Sequence, residues 1–267
     1  MKKLTVQPMF SIGTAHFIVD IDKQVLREFQ RPENEISFIR DMQDKQTYYE
    51  LRFDPQINSA AHEHLPDSKV QIIHVPQMTE LDPQNMSLKY GCTAEQLKGK
   101  PDFEVMVDQE ALALRRNGLL PRIDISGEAF VVDLRMQELR HAANFYPIIS
   151  LKSLELTNDG WNYEAHYHPV MKQVVEIDPK LLEFPEGVVK IKIPNEIGLD
   201  PVSAARIYGM NERELLRRYP IQKDLKAEII PLSETNIPAL IQRNREALRQ
   251  EHRENMQRAK PRFRPKF

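Results

Sequence analysis

Leu81-Asp82-Pro83, Tyr90-Gly91 and Leu97 return, at the same internal spacing, as Leu199-Asp200-Pro201, Tyr208-Gly209 and Leu215. A chain that carries one local instruction twice is built to fold it twice. The echo reaches back towards the N-terminus. Aligned without a gap, Ile12–Ser37 and Ile125–Ser150 share Ile12/Ile125, Phe17/Phe130, Val19/Val132, Asp20/Asp133, Gln24/Gln137, Leu26/Leu139, Arg27/Arg140, Ile36/Ile149 and Ser37/Ser150. Tyr49-Glu50 and Pro55 then answer Tyr163-Glu164 and Pro169, and Val70–Lys100 answers Val188–Arg218. Blocks in the same order are the signature of an internal duplication. The expected fold is α+β, a tandem duplication of one unit: residues 1–118 as the first copy, 119–242 as the second, and 243–267 as a basic tail.

Each copy reads as a β-hairpin, further strands, then strand–helix–helix–strand. Phe10–Ile12 and His16–Ile21 flank Gly13-Thr14, and Ile123–Ile125 and Ala129–Leu134 flank Ser126-Gly127. Glycine between alternating strands supplies the positive φ of a tight turn. Further strands are expected at Thr47–Phe53 and Trp161–Tyr167, then at Lys69–Val75 and Val188–Ile193. Asp82 and Asp200 are placed as helix N-caps, with Pro83 and Pro201 at the first helical position and Gly91 and Gly209 as left-handed C-caps. Thr93 with Gln96, and Asn211 with Glu214, have the capping-box spacing of a second helix. A strand is expected at Phe103–Val107 and at Leu225–Ile230, and a last helix at Gln109–Asn117 and from Ile237 onward.

The net charge of −2 conceals an asymmetry. Beyond residue 242 stand nine basic side chains, Arg243, Arg245, Arg249, Arg253, Arg258, Lys260, Arg262, Arg264 and Lys266, against Glu246, Glu251 and Glu254. An acidic body with a basic tail bears on partners, not on fold. No window is apolar enough for a membrane span, and the basic start at Lys2-Lys3 is not followed by the apolar run of a signal peptide. The single Cys92 forms no internal disulfide. The expectation is a cytoplasmic protein with no membrane contact.

The segment Tyr90-Gly91-Cys92-Thr93-Ala94-Glu95-Gln96-Leu97, set in strand–helix–helix–strand, resembles the second half of a LysM module, a family that binds N-acetylglucosamine-containing glycans. The Gly-Asp-Thr usual after that family's first strand is replaced by Gln77–Glu80 and Asn195–Gly198; with no export signal expected, the resemblance implies helical geometry and not glycan binding. Ala205, Gly209 and Leu215 also fit a helix-turn-helix corner, as do Ser87, Gly91 and Leu97. Any two helices packed at an angle meet those constraints, and Glu212-Arg213-Glu214 would face phosphates badly.

Several chemistries are excluded or disfavoured. No two of the nine glycines are close enough for a dinucleotide turn or a P-loop, so no nucleotide cofactor is expected, and no Gly-x-Ser-x-Gly or Cys-x-x-Cys occurs. Cys92 is matched by Met210, which suggests an apolar plug and not a nucleophile. Asp20 and Asp133 each precede an arginine by seven residues, Arg27 and Arg140, and read as a repeated ion pair or turn contact. Glu164, His166 and His168 alternate onto one strand face and offer a carboxylate and two imidazoles to a metal, with His62-Glu63-His64 as a further source of ligands. A solvated sheet face explains the same pattern.

The tail is helical in pattern from Pro238 to about Ala259, and Pro261-Arg262-Phe263-Arg264-Pro265-Lys266-Phe267 cannot continue the helix. Arg253, Arg258, Lys260, Arg262, Arg264 and Lys266, interleaved with Phe, suit phosphate contact and base stacking. The reading is of a non-catalytic cytoplasmic adaptor that contacts a macromolecular partner, protein or nucleic acid, through its duplicated units and tail. Its alternatives are an accessory nucleic-acid-binding protein acting through the tail, and a metal-dependent enzyme using Glu164, His166 and His168.

Overall fold

The computed structural model describes residues 7–259. In chain order the strands β1 (Met9–Ile12), β2 (Ala15–Asp20), β3 (Val25–Glu28) and β4 (Glu35–Ser37) form a meander. There follow β5 (Met42–Asp44), β6 (Tyr48–Asp54), β7 (Ser59–Ala60) and β8 (Gln71–Pro76), then helices α1 (Met78–Leu81), α2 (Pro83–Tyr90), α3 (Ala94–Leu97), α4 (Asp102–Met106) and α5 (Gln109–Arg116). The chain continues through β9 (Arg122–Ile125), β10 (Glu128–Asp133), β11 (Glu138–His141), β12 (Ile148–Ser150), β13 (Glu155–Leu156), β14 (Asn162–His168), β15 (Gln173–Val174) and β16 (Val189–Pro194). Helices α6 (Glu196–Leu199), α7 (Pro201–Tyr208) and α8 (Glu212–Arg218), strands β17 (Leu225–Lys226) and β18 (Glu228–Ile230), and α9 (Ile237–Ala259) complete it. The fold is α+β.

Two compact units share these elements. The first runs to Asn117 and takes in Ala205–Ile221; the second starts at Gly118, omits that segment and resumes at Gln222. The sequence-based division differs in placing 205–221 with the residues around it. Buried side chains explain the observed grouping. Arg217, on α8, donates to the Phe38 carbonyl at 2.6 Å, and Arg213 donates to Asp44 at 2.8 Å.

In the first unit one sheet has the order β1-β2-β3-β4, and β6 carries β5, β7 and β8 in another. Phe17, Val19, Leu26 and Ile36 from the meander share one core with Tyr49, Leu51, Phe53 and Val75. Phe17 meets Phe53 edge-on at 6.4 Å. In the second unit the orders are β12-β11-β10-β9-β17 and β13-β14-β16-β18, with β15 also on β14. Phe130, Val132, Leu139 and Ile149 share a core with Tyr167, Ile191 and Ile193.

The first hairpins follow the turn chemistry. Ile12 pairs with Ala15 across two residues, and Ile125 with Glu128 across Ser126-Gly127, both at positive φ (57° and 86°). The next turns are held by the two aspartates. Asp20 accepts the Lys23 amide at 3.0 Å and lies 3.7 Å from Arg27; Asp133 accepts the Met136 amide at 3.1 Å and lies 2.5 Å from Arg140. Ion pair and turn contact are therefore both present.

The helix caps take their expected places. Asp82 accepts from the Asn85 amide, Gly91 is left-handed at φ 66°, and Thr93 and Gln96 form a full capping box. Asp200 accepts from the Ser203 amide, and Asn211 from the Glu214 amide. An extra turn of helix precedes each cap. In α6, Gly198 is required by close packing, because a Cβ there would lie 2.6 Å from Pro194 Cβ.

Phe103–Val107 is a correction. It is not a strand but the body of α4, which begins after Pro101 and buries Asp102 and Phe103. A short apolar run has no period long enough to separate strand from helix, and the preceding proline sets a helix start. Leu225–Ile230 is extended but divided, with β17 parallel to β9 and β18 antiparallel to β16. The strand–helix–helix–strand order that underlies the LysM resemblance is therefore not met in the first unit.

One core position is mismatched to its residue. The Tyr167 side chain is fully buried and its hydroxyl has no hydrogen-bond partner among the described residues. Burial, with the nearby Glu128 charge, pushes its pKa up to about 12. Phe53 fills the like place on β6, opposite β7 as Tyr167 is opposite β15. An orphaned buried hydroxyl costs roughly 1–3 kcal/mol. Tyr167→Phe is therefore expected to stabilise the second unit by about 1 kcal/mol. Urea unfolding followed by the fluorescence of Trp161 checks this, and a lowered midpoint would refute it.

Candidate binding surfaces

In the second unit a cleft forms where a sheet edge is interrupted. One side of β14 is covered by β16 from Asn162 to Tyr167. On the other side β13 covers Tyr163–Glu164 and β15 covers Tyr167–His168, so the edge at Ala165–His166 lies between two short strands. Val175 donates to the His166 carbonyl there at 2.9 Å. A cleft of about 470 Å³ opens at this break, lined by Glu155, Glu164, His166, Glu176 and Lys190 among others.

The first unit has the same arrangement on β6. There β8 covers one side, while β5 faces Tyr49–Leu51 and β7 faces Phe53–Asp54 on the other. Ala61 donates to the Arg52 carbonyl at 2.7 Å, as Val175 does to His166. A cleft of about 630 Å³ lies at this break, lined by Arg40, Asp41, Glu50, Arg52, His62 and Glu63 among others.

Both clefts are polar, and much of their charge is internally matched. Glu164 pairs with Lys190 at 2.6 Å, Arg40 with Asp41 at 2.8 Å, and Lys45 reaches Glu50 at 3.3 Å. Arg52 is held by Asp67 at 2.8 Å. Burial lowers the His166 pKa from its ordinary value, and Lys190 lowers it further, against the opposing pull of Glu155 and Glu164. His166 therefore stands neutral at neutral pH and can accept a hydrogen bond from an occupant.

Of the three residues read as possible metal ligands, Glu164 and His166 line the cleft and His168 does not. His168 accepts from the Met171 amide at 3.3 Å, and its ring lies against Gly187, where a Cβ would come within 3.1 Å. Among the described residues no group of three or more His, Cys, Asp or Glu side chains is arranged to hold a metal ion. His62 lines the first unit's cleft. Cys92 is half-buried against the first unit's core, whereas Met210 is exposed.

Helix α9 is anchored at its beginning. Ile237 and Ile241 pack with Leu232, and Ile177, Leu181 and Val188 close around them. Asn244 donates to the Pro179 and Leu181 carbonyls, each at 2.9 Å, and Arg245 donates to the Leu182 carbonyl at 2.7 Å. Every residue from Arg245 to Met256 is exposed, including Arg253. The side chain of Arg258, and Lys260, Arg262, Arg264 and Lys266, lie outside the described residues. The anchors crossing residue 243 show that a cut at the sequence-based tail boundary would also remove bonds that hold the helix down.

Comparison with protein-family models, curated proteins and solved structures gives no match. Among the described residues no helix is long and apolar enough to cross a membrane. Sequence reading missed Glu155, Glu176 and Lys190, because the strands that bring them to the break are short or distant in the chain.

Proposed function

We propose that the protein is a non-catalytic cytoplasmic adaptor, made of two copies of one α+β unit, that binds a macromolecular partner. The observation that carries this reading is the pair of clefts, each set at an interrupted sheet edge by the same strand arrangement. The repeated sequence blocks and the matched turns at Asp20 and Asp133 support the duplication. Two like clefts on one chain suit a partner that presents a repeated or extended surface, because a second contact made on the same chain multiplies the effect of the first.

The test reverses one charge in each cleft, Arg52→Glu with Lys190→Glu. The parent protein, purified gently, is expected to retain a stoichiometric macromolecule, and the double variant to release it while keeping its circular dichroism spectrum. A parent that carries no partner, or a double variant that retains it fully, would overturn the reading.

A second reading, nucleic-acid binding through the C-terminal basic stretch, is favoured by the exposure of α9 beyond Arg245 and by its excess of arginine. Here the partner's phosphates supply the charge that the basic side chains meet.

A further inference from the structure

Resting on the nucleic-acid reading, we infer that the seat for the strand is the arginine row Arg245, Arg249 and Arg253 on α9, with Phe184 as a stacking platform. These arginines are four residues apart, so they follow one ridge of the helix with a rise of about 6 Å per step. That step is close to the distance between successive phosphates of an extended single strand. Arg245, at the head of the row, is held before any ligand arrives by its bond to the Leu182 carbonyl. Among the described residues no carboxylate pairs with Arg249 or Arg253. Two glutamates adjoin the row in sequence: Glu246, beside Arg245, is engaged by the Gln242 amide at 3.1 Å, and Glu254, beside Arg253, is engaged as well.

Beside the row lies a groove of about 350 Å³, lined by Phe184, Pro238, Ile241, Gln242, Arg245 and Arg249, together with Glu246. Phe184 is half exposed at 51%. A charged ridge against a groove edged by an aromatic ring is the pairing that single-strand binding uses: phosphates on the cations and a base on the ring. A duplex keeps its bases stacked and offers Phe184 nothing to stack on. An acidic protein surface would use the arginines and leave the groove empty. The occupant that uses both features is a single-stranded nucleic acid.

The experiment is fluorescence anisotropy of a labelled oligothymidylate with the full chain at a series of salt concentrations. The double variant Arg249→Gln/Arg253→Gln is expected to bind at least tenfold more weakly and to lower the salt slope by about 1.4, at roughly 0.7 for each lost phosphate contact. Phe184→Ala is expected to lose about tenfold with an unchanged slope, since stacking is not a counterion effect. Three results would overturn the inference. If the row and Phe184 variants bind as the parent does, while Arg262→Gln/Arg264→Gln/Lys266→Gln loses binding, the seat lies elsewhere and the nucleic-acid reading survives. If polyglutamate competes as well as the oligonucleotide, the row is a general anion surface. If the parent binds no oligonucleotide even at low salt, the seat and the nucleic-acid reading fall together.

Discussion

Asp102→Ala is expected to destabilise the first unit by about 3–5 kcal/mol, the sum of three buried donors left largely unsatisfied. The Asp102 carboxylate, wholly buried, accepts the Tyr49 hydroxyl at 2.6 Å and the Met78 and Thr79 amides at 2.8 Å each. Its own amide donates to Gln77 at 2.8 Å. It therefore fastens α4 to the start of α1 and to the core face of β6. Asp102→Asn should fall between parent and alanine. Only one of its positions still accepts, so either the Met78 or the Thr79 amide meets an NH2 group, although the Tyr49 hydroxyl can turn to accept. Urea unfolding followed by circular dichroism ranks the three proteins. Hydrogen exchange on peptides from β6 and α1 shows whether the loss is local to the carboxylate's partners.

The pH dependence of this group has an uncommon sign. Burial raises the Asp102 pKa, outweighing its hydrogen bonds, which act the other way. A carboxyl that holds its proton more tightly folded than unfolded gives a stability increment fully present below the unfolded pKa and lost as pH rises through the folded one. Acid unfolding of the protein therefore does not begin at Asp102.

The sequence revealed the parts of this fold whose causes are local. Asp82, Pro83, Gly91, Thr93 and Gln96 each act within one turn of helix, and each is found in its expected role. The hairpins at Gly13 and Ser126-Gly127 were legible for the same reason. Strands of two to four residues, such as β3, β4, β13 and β15, have no period to read and are fixed by their neighbours. The clefts were hidden for that reason, since β5 with β7, and β13 with β15, make them only by sharing one edge of a longer strand. Alternation correctly placed Glu164 and His166 on one face, but the turn after β14 takes His168 out of the set. Asp102 and Tyr49, 53 residues apart in the chain, show no sign in sequence of being partners.

Adjacent arginines show the same limit most sharply. Arg217 and Arg218 end α8 in sequence as an indistinguishable pair, yet one is buried and the other exposed. The Arg217 side chain is fully enclosed. It donates to the Phe38 carbonyl at 2.6 Å and to both Glu214 oxygens at 3.0 and 3.1 Å, and it lies 3.9 Å from Asp44 and 4.8 Å from the centre of the Tyr49 ring. Arg213 supplies the rest of the charge, bonding Asp44 at 2.8 Å while lying over the Phe103 ring at 4.2 Å. Arg217→Met keeps much of the volume but leaves the Phe38 carbonyl without that donor and the buried Asp44 with one cation in place of two. The expected loss is about 3–5 kcal/mol, the usual consequence of removing one partner from a buried charge set. Arg217→Lys should recover little, because an ammonium cannot present separate donors to Phe38 and Glu214 in the fixed fork of a guanidinium. Arg218→Met should fall within about 0.5 kcal/mol of the parent, as exposed substitutions do. Hydrogen exchange decides the mechanism. If Arg217 holds α8 down, Arg217→Met opens the amides of Glu212–Arg218 and those of β5 together, whereas equal losses for the two arginines would show that net charge, and not burial, sets the stability of this helix.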